Sequence, residues 1–133
     1  MVESYRDLVA WQKAIDLVQG IYGVSSGFPH SERFGLVSQL RRAAVSIPSA
    51  LAEGRARAST REFSHYISIA RGSLAEVETQ LLIAQRLGFA WADDIEILLA
   101  QCDEQSRLLR GLKKSIDNKV AVSAHQRALA PNP

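Results

Sequence analysis

The segment that decides the fold runs from Ser59 to Gly88 and reads STREFSHYISIARGSLAEVETQLLIAQRLG. Its first four residues, Ser59 to Glu62, have the spacing of a capping box, in which the serine hydroxyl and the glutamate carboxylate satisfy free backbone N–H groups at a helix start. Apolar residues then recur at alternating steps of four and three, the period of one helix face, and Gly88 is typical of a helix end. The segment therefore predicts a helix about 40 Å long at 1.5 Å per residue. Its inward stripe is Phe63, Ile67, Ala70, Leu74, Val77, Leu81 and Ala84.

Three further segments share this spacing and predict three more helices. Ser31 follows the loop that begins at Phe28 and is a candidate N-cap for the second helix. Pro48 lies within the second helix, which it either kinks or divides into two shorter helices that meet near Ile47. The inward stripes are Leu8, Trp11, Ile15, Val18 and Tyr22 in the first helix, Leu36, Leu40, Ala43, Ile47 and Leu51 in the second, and Ile95, Leu98, Cys102, Leu109, Leu112 and Ile116 in the fourth.

No segment alternates with period two, so the sequence predicts an all-α protein without a sheet. Short connections between four long amphipathic helices favour an antiparallel up-down-up-down four-helix bundle. We expect this bundle to occupy residues 1–117, and residues 118–133 to form a C-terminal extension, either a frayed continuation of the fourth helix or a loose tail. The residues expected to hold the bundle together are Trp11, Leu40, Ile47, Phe63 and Leu74.

The composition is that of an ordinary globular domain, with 47% apolar and 23% charged residues in a chain of 133. No apolar run approaches the roughly 20 residues of a membrane span, and the first residues lack the pattern of a secretory signal, so no membrane partner is expected. A single cysteine, Cys102, excludes an internal disulfide and fits a reducing compartment. We expect a cytoplasmic protein.

Positive charge is concentrated in one part of the chain. Between Arg33 and Arg61 there are six arginines and one acid, Glu53, a local balance of +5 in a chain whose net charge is +2. Such a segment suits phosphates or an acidic protein surface. The alternative is a solvated face whose arginines form ion pairs, for example from Glu53 to Arg57 or to Arg71. The predicted nucleic-acid-binding residues are Arg41, Arg42, Arg55, Arg57 and Arg61.

These arginines are not interleaved with aromatic residues, so contact with the backbone of duplex or structured RNA is favoured over stacking on single-stranded bases. Glu62 and His65 match the Glu-x-x-His spacing of di-iron bundles, but such a site needs two copies and two further glutamates. Cys102 lies on an apolar stripe, where a free cysteine is usually a small core residue. Gly35 and Gly72 are single glycines that suggest close packing or a kink. We expect no catalytic residue, metal or cofactor, and hence no enzyme.

Several motifs occur in fixed order within residues 7–14, 28–29, 32–36, 38–49, 52–54 and 70–81. They resemble those of the bacterial four-helix-bundle proteins encoded in intervening sequences of 23S ribosomal RNA genes. The resemblance implies a left-handed bundle that assembles as a homopentameric ring, and it implies no enzymatic activity. A related protein, the accessory variability determinant of diversity-generating retroelements, binds nucleic acid and a reverse transcriptase through a basic pentameric barrel. This chain departs from the pattern where Arg-Ala-Arg-Ala follows Glu53-Gly54, and its fourth helix carries no family motif.

Oligomerisation also has support from the residues themselves. The inward stripe of the third helix leaves Ile69, Leu82 and Ile83 on outer positions, beyond the apolar face that a monomeric bundle needs. The alternative is scattered surface apolar residues, which are common. The sequence thus predicts a non-enzymatic homo-oligomer that binds RNA or DNA non-specifically through its arginines. The alternative function is a structural adaptor ring that docks an acidic protein, with the arginines mainly in intersubunit ion pairs.

Overall fold

The computed structural model describes residues 4–129, which form four α-helices and two short 3-10 turns. Each helix packs against two neighbours in a closed square, so the all-α four-helix bundle is confirmed, and residues 4–129 contain no strand. The helices are α1 (Val9–Ser25), α2 (Leu36–Arg55), α3 (Thr60–Arg86) and α4 (Ala92–Leu129), and the 3-10 turns are Tyr5–Asp7 and His30–Glu32.

Contacts between the helices establish their directions. In three of the neighbouring pairs, the numbers of the contacting residues rise along one helix as they fall along the other, so these helices are antiparallel. It follows that α1 and α2 are antiparallel as well. The up-down-up-down order is confirmed, whereas the left-handed twist stays a prediction. The contacts are Ser46–Ser73 and Gly54–Tyr66 for α2 and α3, Ser64–Asp117 and Gln85–Glu96 for α3 and α4, and Ala10–Gln105 and Gly20–Leu98 for α1 and α4.

Helix α3 matches its sequence prediction closely. All seven residues of the expected stripe are buried. Ser59 is the N-cap, and its hydroxyl accepts a hydrogen bond from the backbone N–H of Glu62 at 3.2 Å. The return bond from the Ser59 N–H to the Glu62 carboxylate is not formed, so the predicted capping box is confirmed in one direction only. Gly88 takes the positive φ of 71° that favours glycine after a helix end, and the N–H of Phe89 returns to the carbonyl of Ala84 at 3.0 Å. This geometry ends α3 and turns the chain into α4.

The predicted inward stripe of the first helix is right at Leu8, which is buried, and wrong by about one residue within α1. The buried residues of α1 include Ala10, Ala14, Leu17 and Ile21, whereas Tyr22 is exposed. The larger predicted residues, Trp11, Ile15 and Val18, are only half-buried. The physical reason is that the two alanines face the core, where small side chains allow close helix packing, and sequence periodicity gives little weight to alanine. Of the five residues expected to hold the bundle, Leu40, Ile47, Phe63 and Leu74 are buried and Trp11 is not.

The start of α2 also differs from the prediction. Ser31 lies in the second 3-10 turn, and the N-cap of α2 is Gly35. The Glu32 carboxylate accepts a hydrogen bond from the Leu36 N–H at 3.1 Å and so satisfies a free donor of the first turn in place of the predicted serine. Pro48 lies inside a single continuous α2, so the alternative of two shorter helices is wrong. Its ring is buried, as are its neighbours Ile47 and Ala50, although proline removes one backbone hydrogen bond from the helix.

Helix α4 is the longest element. Its predicted stripe is buried apart from Leu112, which is half-buried, and Gln105 takes an unforeseen place in the core, where its Nε2 donates to the carbonyl of Ala10 at 3.0 Å. The helix continues without interruption through residues 118–129, although Ile116 is its last buried residue. The division of domains at residue 117 stays a prediction, and residues 130–133 of the expected tail lie outside the described part of the chain. Among the described helices, none combines the length and the apolarity that crossing a membrane demands.

Candidate nucleic-acid interface

Arg41 is held by the end of α1. Its Nε donates to the Ser25 hydroxyl at 2.9 Å, and one terminal nitrogen donates to the Tyr22 carbonyl and the Ser26 hydroxyl, both at 3.2 Å. The guanidinium also lies over the Tyr22 ring, 4.4 Å from its centroid. A cation at a helix C-terminus satisfies carbonyls that have no partner within the helix and interacts favourably with the helix dipole. This predicted phosphate-contacting residue therefore connects α2 to α1.

Arg42 points elsewhere and is exposed, and the described residues give it no ion pair or hydrogen bond. It precedes Arg55 by 13 positions in the same helix, which at 1.5 Å per residue is about 20 Å. The structure thus separates the five predicted arginines into two places. Arg41 and Arg42 lie in the first half of α2, and Arg55, Arg57 and Arg61 lie at the connection between α2 and α3.

Two of the arginines at this connection meet in one open cleft. Arg57 and Arg61 line a depression of about 310 Å³ together with Glu62, His65 and Tyr66. Arg57 donates to the Tyr66 hydroxyl at 2.6 Å and to the Glu53 carboxylate at 3.1 Å. The negative form of Tyr66, more than the contact with Glu53, raises the pKa of Arg57 above its ordinary value. The two hydrogen bonds orient the guanidinium where it lines the cleft.

Gly54 explains how Tyr66 comes so close. A Cβ on Gly54 would stand 2.5 Å from the Cβ of Tyr66 and 3.1 Å from Cδ1 of Phe63, so only glycine allows this approach of α2 and α3. The arrangement fits the interpretation that Glu53 pairs with Arg57, one of the two ion pairs expected from the sequence. Arg55, the last residue of α2, is half-buried beside this junction.

A cross-helix contact brings α4 to the same end of the bundle. The Ser64 hydroxyl donates to Asp117, and Lys113 donates to the Ser64 hydroxyl at 2.7 Å and to the Asp117 carboxylate at 3.2 Å. The hydrogen bond from Ser64, followed by that from Lys113, lowers the pKa of Asp117. Sequence reasoning did not foresee the place of Lys113 in this contact. The antiparallel order was the available signal, because it puts the turn of α4 from Lys113 to Asp117 beside the first turn of α3.

The other candidate groups have structural surroundings of their own. Glu62 and His65 are exposed, and within residues 4–129 no three potential metal ligands come together. Cys102 is buried in the core, as expected, and burial together with Glu78 and Asp103 raises its thiol pKa to about 12. Such a thiol is a poor nucleophile because almost none of it is ionised near neutral pH.

The outward side of α3 carries the three apolar residues expected to be exposed, with Ile69 and Ile83 on one flank and Leu82 about 140° around the helix from Ile69. Ile69, Leu82 and Ile83 keep 41%, 46% and 42% of their surface accessible. Gly72 lies on the same helix and has no heavy atom within 4 Å of its added Cβ, so the close packing predicted for it does not occur within this chain. Gly35 is the N-cap of α2, next to the Glu32 carboxylate.

A profile of the 23S rRNA-intervening sequence proteins matches residues 6–111. No curated protein matches the chain. A crystal structure from Bacteroides thetaiotaomicron, described as a protein of unknown function from the S23 ribosomal protein family, is 20% identical, with a TM-score of 0.74, and the alignment covers 80% of this chain and 99% of that one. At that identity the likeness shows the fold alone. The profile match, which covers most of this chain, shows that the chain belongs to the 23S rRNA-intervening sequence protein family.

Proposed function

We propose that this protein is a non-enzymatic, cytoplasmic homo-oligomer that binds nucleic acid through phosphate contacts at the α2–α3 end of the bundle. The observation that carries the proposal is the convergence of Arg57 and Arg61 on one exposed cleft. Guanidinium groups suit phosphate because their planar N–H donors can pair with two oxygens at once. A cleft of about 310 Å³ has room for a phosphate group and its neighbouring sugar.

Arg61 is the best candidate for a direct contact. It is exposed, and the described residues provide it with no ion pair or hydrogen bond, whereas the charge of Arg57 is partly balanced by Glu53. Phosphate binding at Arg61 therefore breaks no existing interaction. Arg57 stays at the rim of the cleft because Tyr66 and Glu53 hold it there.

Self-association is supported by exposed apolar residues of α3. Ile69 and Ile83 share one flank of the helix, and a second copy that covers them would remove apolar surface from water. The family resemblance suggests a pentamer. In a ring, each copy would add its own phosphate contacts and its own counterion release to the binding of one nucleic acid.

The binding proposal is tested by the salt dependence of affinity for RNA and for duplex DNA. Each lost phosphate contact should lower the slope of log K against log salt by about 0.9 on B-DNA and about 0.7 on single strands, counted once for every copy that binds. Arg61→Ala should show this change. Arg86→Ala is the matched control, because Arg86 is an exposed arginine on the same helix at the opposite end of the bundle. A flat salt dependence of the unmodified protein, or equal effects of the two variants, contradicts the proposal.

The oligomer is tested separately by light scattering coupled to size-exclusion chromatography. Ile83→Lys places a charge on the flank of α3 that Ile69 and Ile83 share, without touching the core, so it should dissociate the assembly. A protein that is monomeric before the substitution contradicts the ring. If nuclease-treated protein instead retains one acidic protein in a pull-down, the adaptor function replaces nucleic-acid binding.

A further inference from the structure

The cleft at the α2–α3 end contains one acid among its cations. The residues that line it are Arg57, Arg61, Glu62, His65 and Tyr66. Glu62 precedes His65 by three positions and Tyr66 by four, steps that place these side chains on one side of α3. Glu62 is exposed, and the described residues give its carboxylate neither an ion pair nor a hydrogen bond. Its oxygens are therefore open to a ligand.

The position of Glu62 in the helix explains only part of its placement. An acid in the first turn interacts favourably with the helix dipole. A phosphate, however, is itself an anion that offers only hydrogen-bond acceptors, so a carboxylate beside two guanidinium groups weakens the attraction for phosphate alone. A ligand that suits the whole cleft must bring a donor for Glu62 together with its phosphate.

The remaining groups show what this donor must be. The guanidinium groups of Arg57 and Arg61 only donate, and the Tyr66 hydroxyl, which accepts from Arg57 at 2.6 Å, keeps its own hydrogen for an oxygen of the ligand. An ionised Glu62 only accepts. Within a nucleic-acid chain, the sugar–phosphate backbone of DNA has no hydrogen-bond donor, whereas that of RNA has one, the ribose 2′-hydroxyl. The cleft thus matches the backbone of RNA.

We propose that the cleft selects RNA over DNA, with Arg61 on a phosphate and the Glu62 carboxylate accepting a hydrogen bond from the 2′-hydroxyl of the adjacent ribose. The inference rests on the proposed function and names the class of nucleic acid. Double-helical RNA suits this arrangement because its wide, shallow minor groove displays 2′-hydroxyls beside the phosphates. On DNA the carboxylate finds no partner in the backbone, and its charge opposes the phosphates.

The test removes the acceptor in the full chain, with the variant Glu62→Ala. Its matched control is Asp93→Ala, because Asp93 is also an exposed acid in the first turn of a helix but lies at the opposite end of the bundle. Affinity is measured for duplexes of one sequence made of RNA, of 2′-O-methyl RNA and of DNA. Methylation removes the hydroxyl hydrogen and keeps the bases, so this duplex separates a ribose contact from a base contact.

The unmodified protein should bind RNA about tenfold more tightly than 2′-O-methyl RNA for each cleft in use, the effect of one hydrogen bond to a charged group. Glu62→Ala should abolish this difference and strengthen binding to DNA, since a negative charge is lost, whereas Asp93→Ala should keep the difference. Equal affinity of the unmodified protein for the two RNA duplexes, or a difference that survives Glu62→Ala, overturns the proposal.

Arg61→Ala separates this failure from that of the proposed function. If the ribose contact is absent and Arg61→Ala still weakens binding to all three duplexes, the cleft binds phosphate without selecting the sugar. If Arg61→Ala changes the affinity for none of them, phosphate binding in the cleft and the selection of RNA are both wrong.

Discussion

Replacing Arg41 with alanine should destabilise the fold and leave nucleic-acid binding almost unchanged. The variant loses one hydrogen bond in a partly buried position, to Ser25, and two at the surface, to Tyr22 and Ser26. It also loses the contact between the guanidinium and the Tyr22 ring. A partly buried hydrogen bond contributes about 1 kcal/mol, and a cation over an aromatic face at an exposed site about 0.5–1 kcal/mol. With small contributions from the surface bonds, the expected loss is about 1–2 kcal/mol.

For a domain of this size, 1 kcal/mol corresponds to about 3–4 °C in Tm, so Arg41→Ala should lower Tm by about 3–8 °C. Thermal unfolding followed by circular dichroism measures the change. Arg42→Ala is the matched control, since the next residue is exposed and should cost no more than about 0.5 kcal/mol. Equal Tm values for the two variants would refute the structural role of Arg41. If Arg41→Ala instead weakened nucleic-acid binding without lowering Tm, Arg41 would be a phosphate contact.

Three further predictions concern the core and its ionisable groups. Gly54→Ala forces Tyr66 away from α2. Overpacking should lower the free energy of unfolding by about 1–3 kcal/mol, and the higher helix propensity of alanine should restore roughly 1 kcal/mol of this loss. A denaturant titration measures the net change, and an unchanged free energy of unfolding would show that the helices can separate freely. Burial and then Asp103 raise the pKa of Glu78. The folded protein therefore holds this proton more tightly than the unfolded chain, and it loses stability as the pH rises from the ordinary pKa of a glutamate through the raised one. Glu78→Gln should raise Tm at pH 7, and a gain of equal size at pH 4 would contradict this. The Cys102 thiol, with its pKa of about 12, should react with iodoacetamide at pH 8 only after denaturation, and rapid labelling of the folded protein would show that the site opens.

The sequence predicted the fold well where large apolar residues repeat at regular steps. In α3 the stripe from Phe63 to Ala84, the serine N-cap and the glycine after the end all follow from local rules that packing does not override. In α1 the same procedure failed because Ala10 and Ala14 face the core while Trp11 covers its edge. Small residues that let helices approach are indistinguishable from surface alanines in a single sequence.

The candidate site was predicted less completely, because a run of arginines does not reveal which helix each guanidinium meets. The Arg41 side chain is hydrogen-bonded to the end of α1. These bonds join residues 15 to 19 positions apart, so they depend on how the helices pack. Lys113 joins the site only because α4 runs antiparallel to α3.

The central claim, that phosphates bind at the α2–α3 end of the bundle, is tested most directly by arginine footprinting. Phenylglyoxal modifies exposed guanidinium groups, and mass spectrometry then gives the extent of reaction at each arginine, whatever the size of the assembly. Bound duplex should protect Arg57 and Arg61 strongly and leave Arg86 as reactive as in the free protein, because Arg86 lies at the opposite end of α3. Equal protection of Arg61 and Arg86, or protection of neither under conditions where the duplex is bound, would contradict the account.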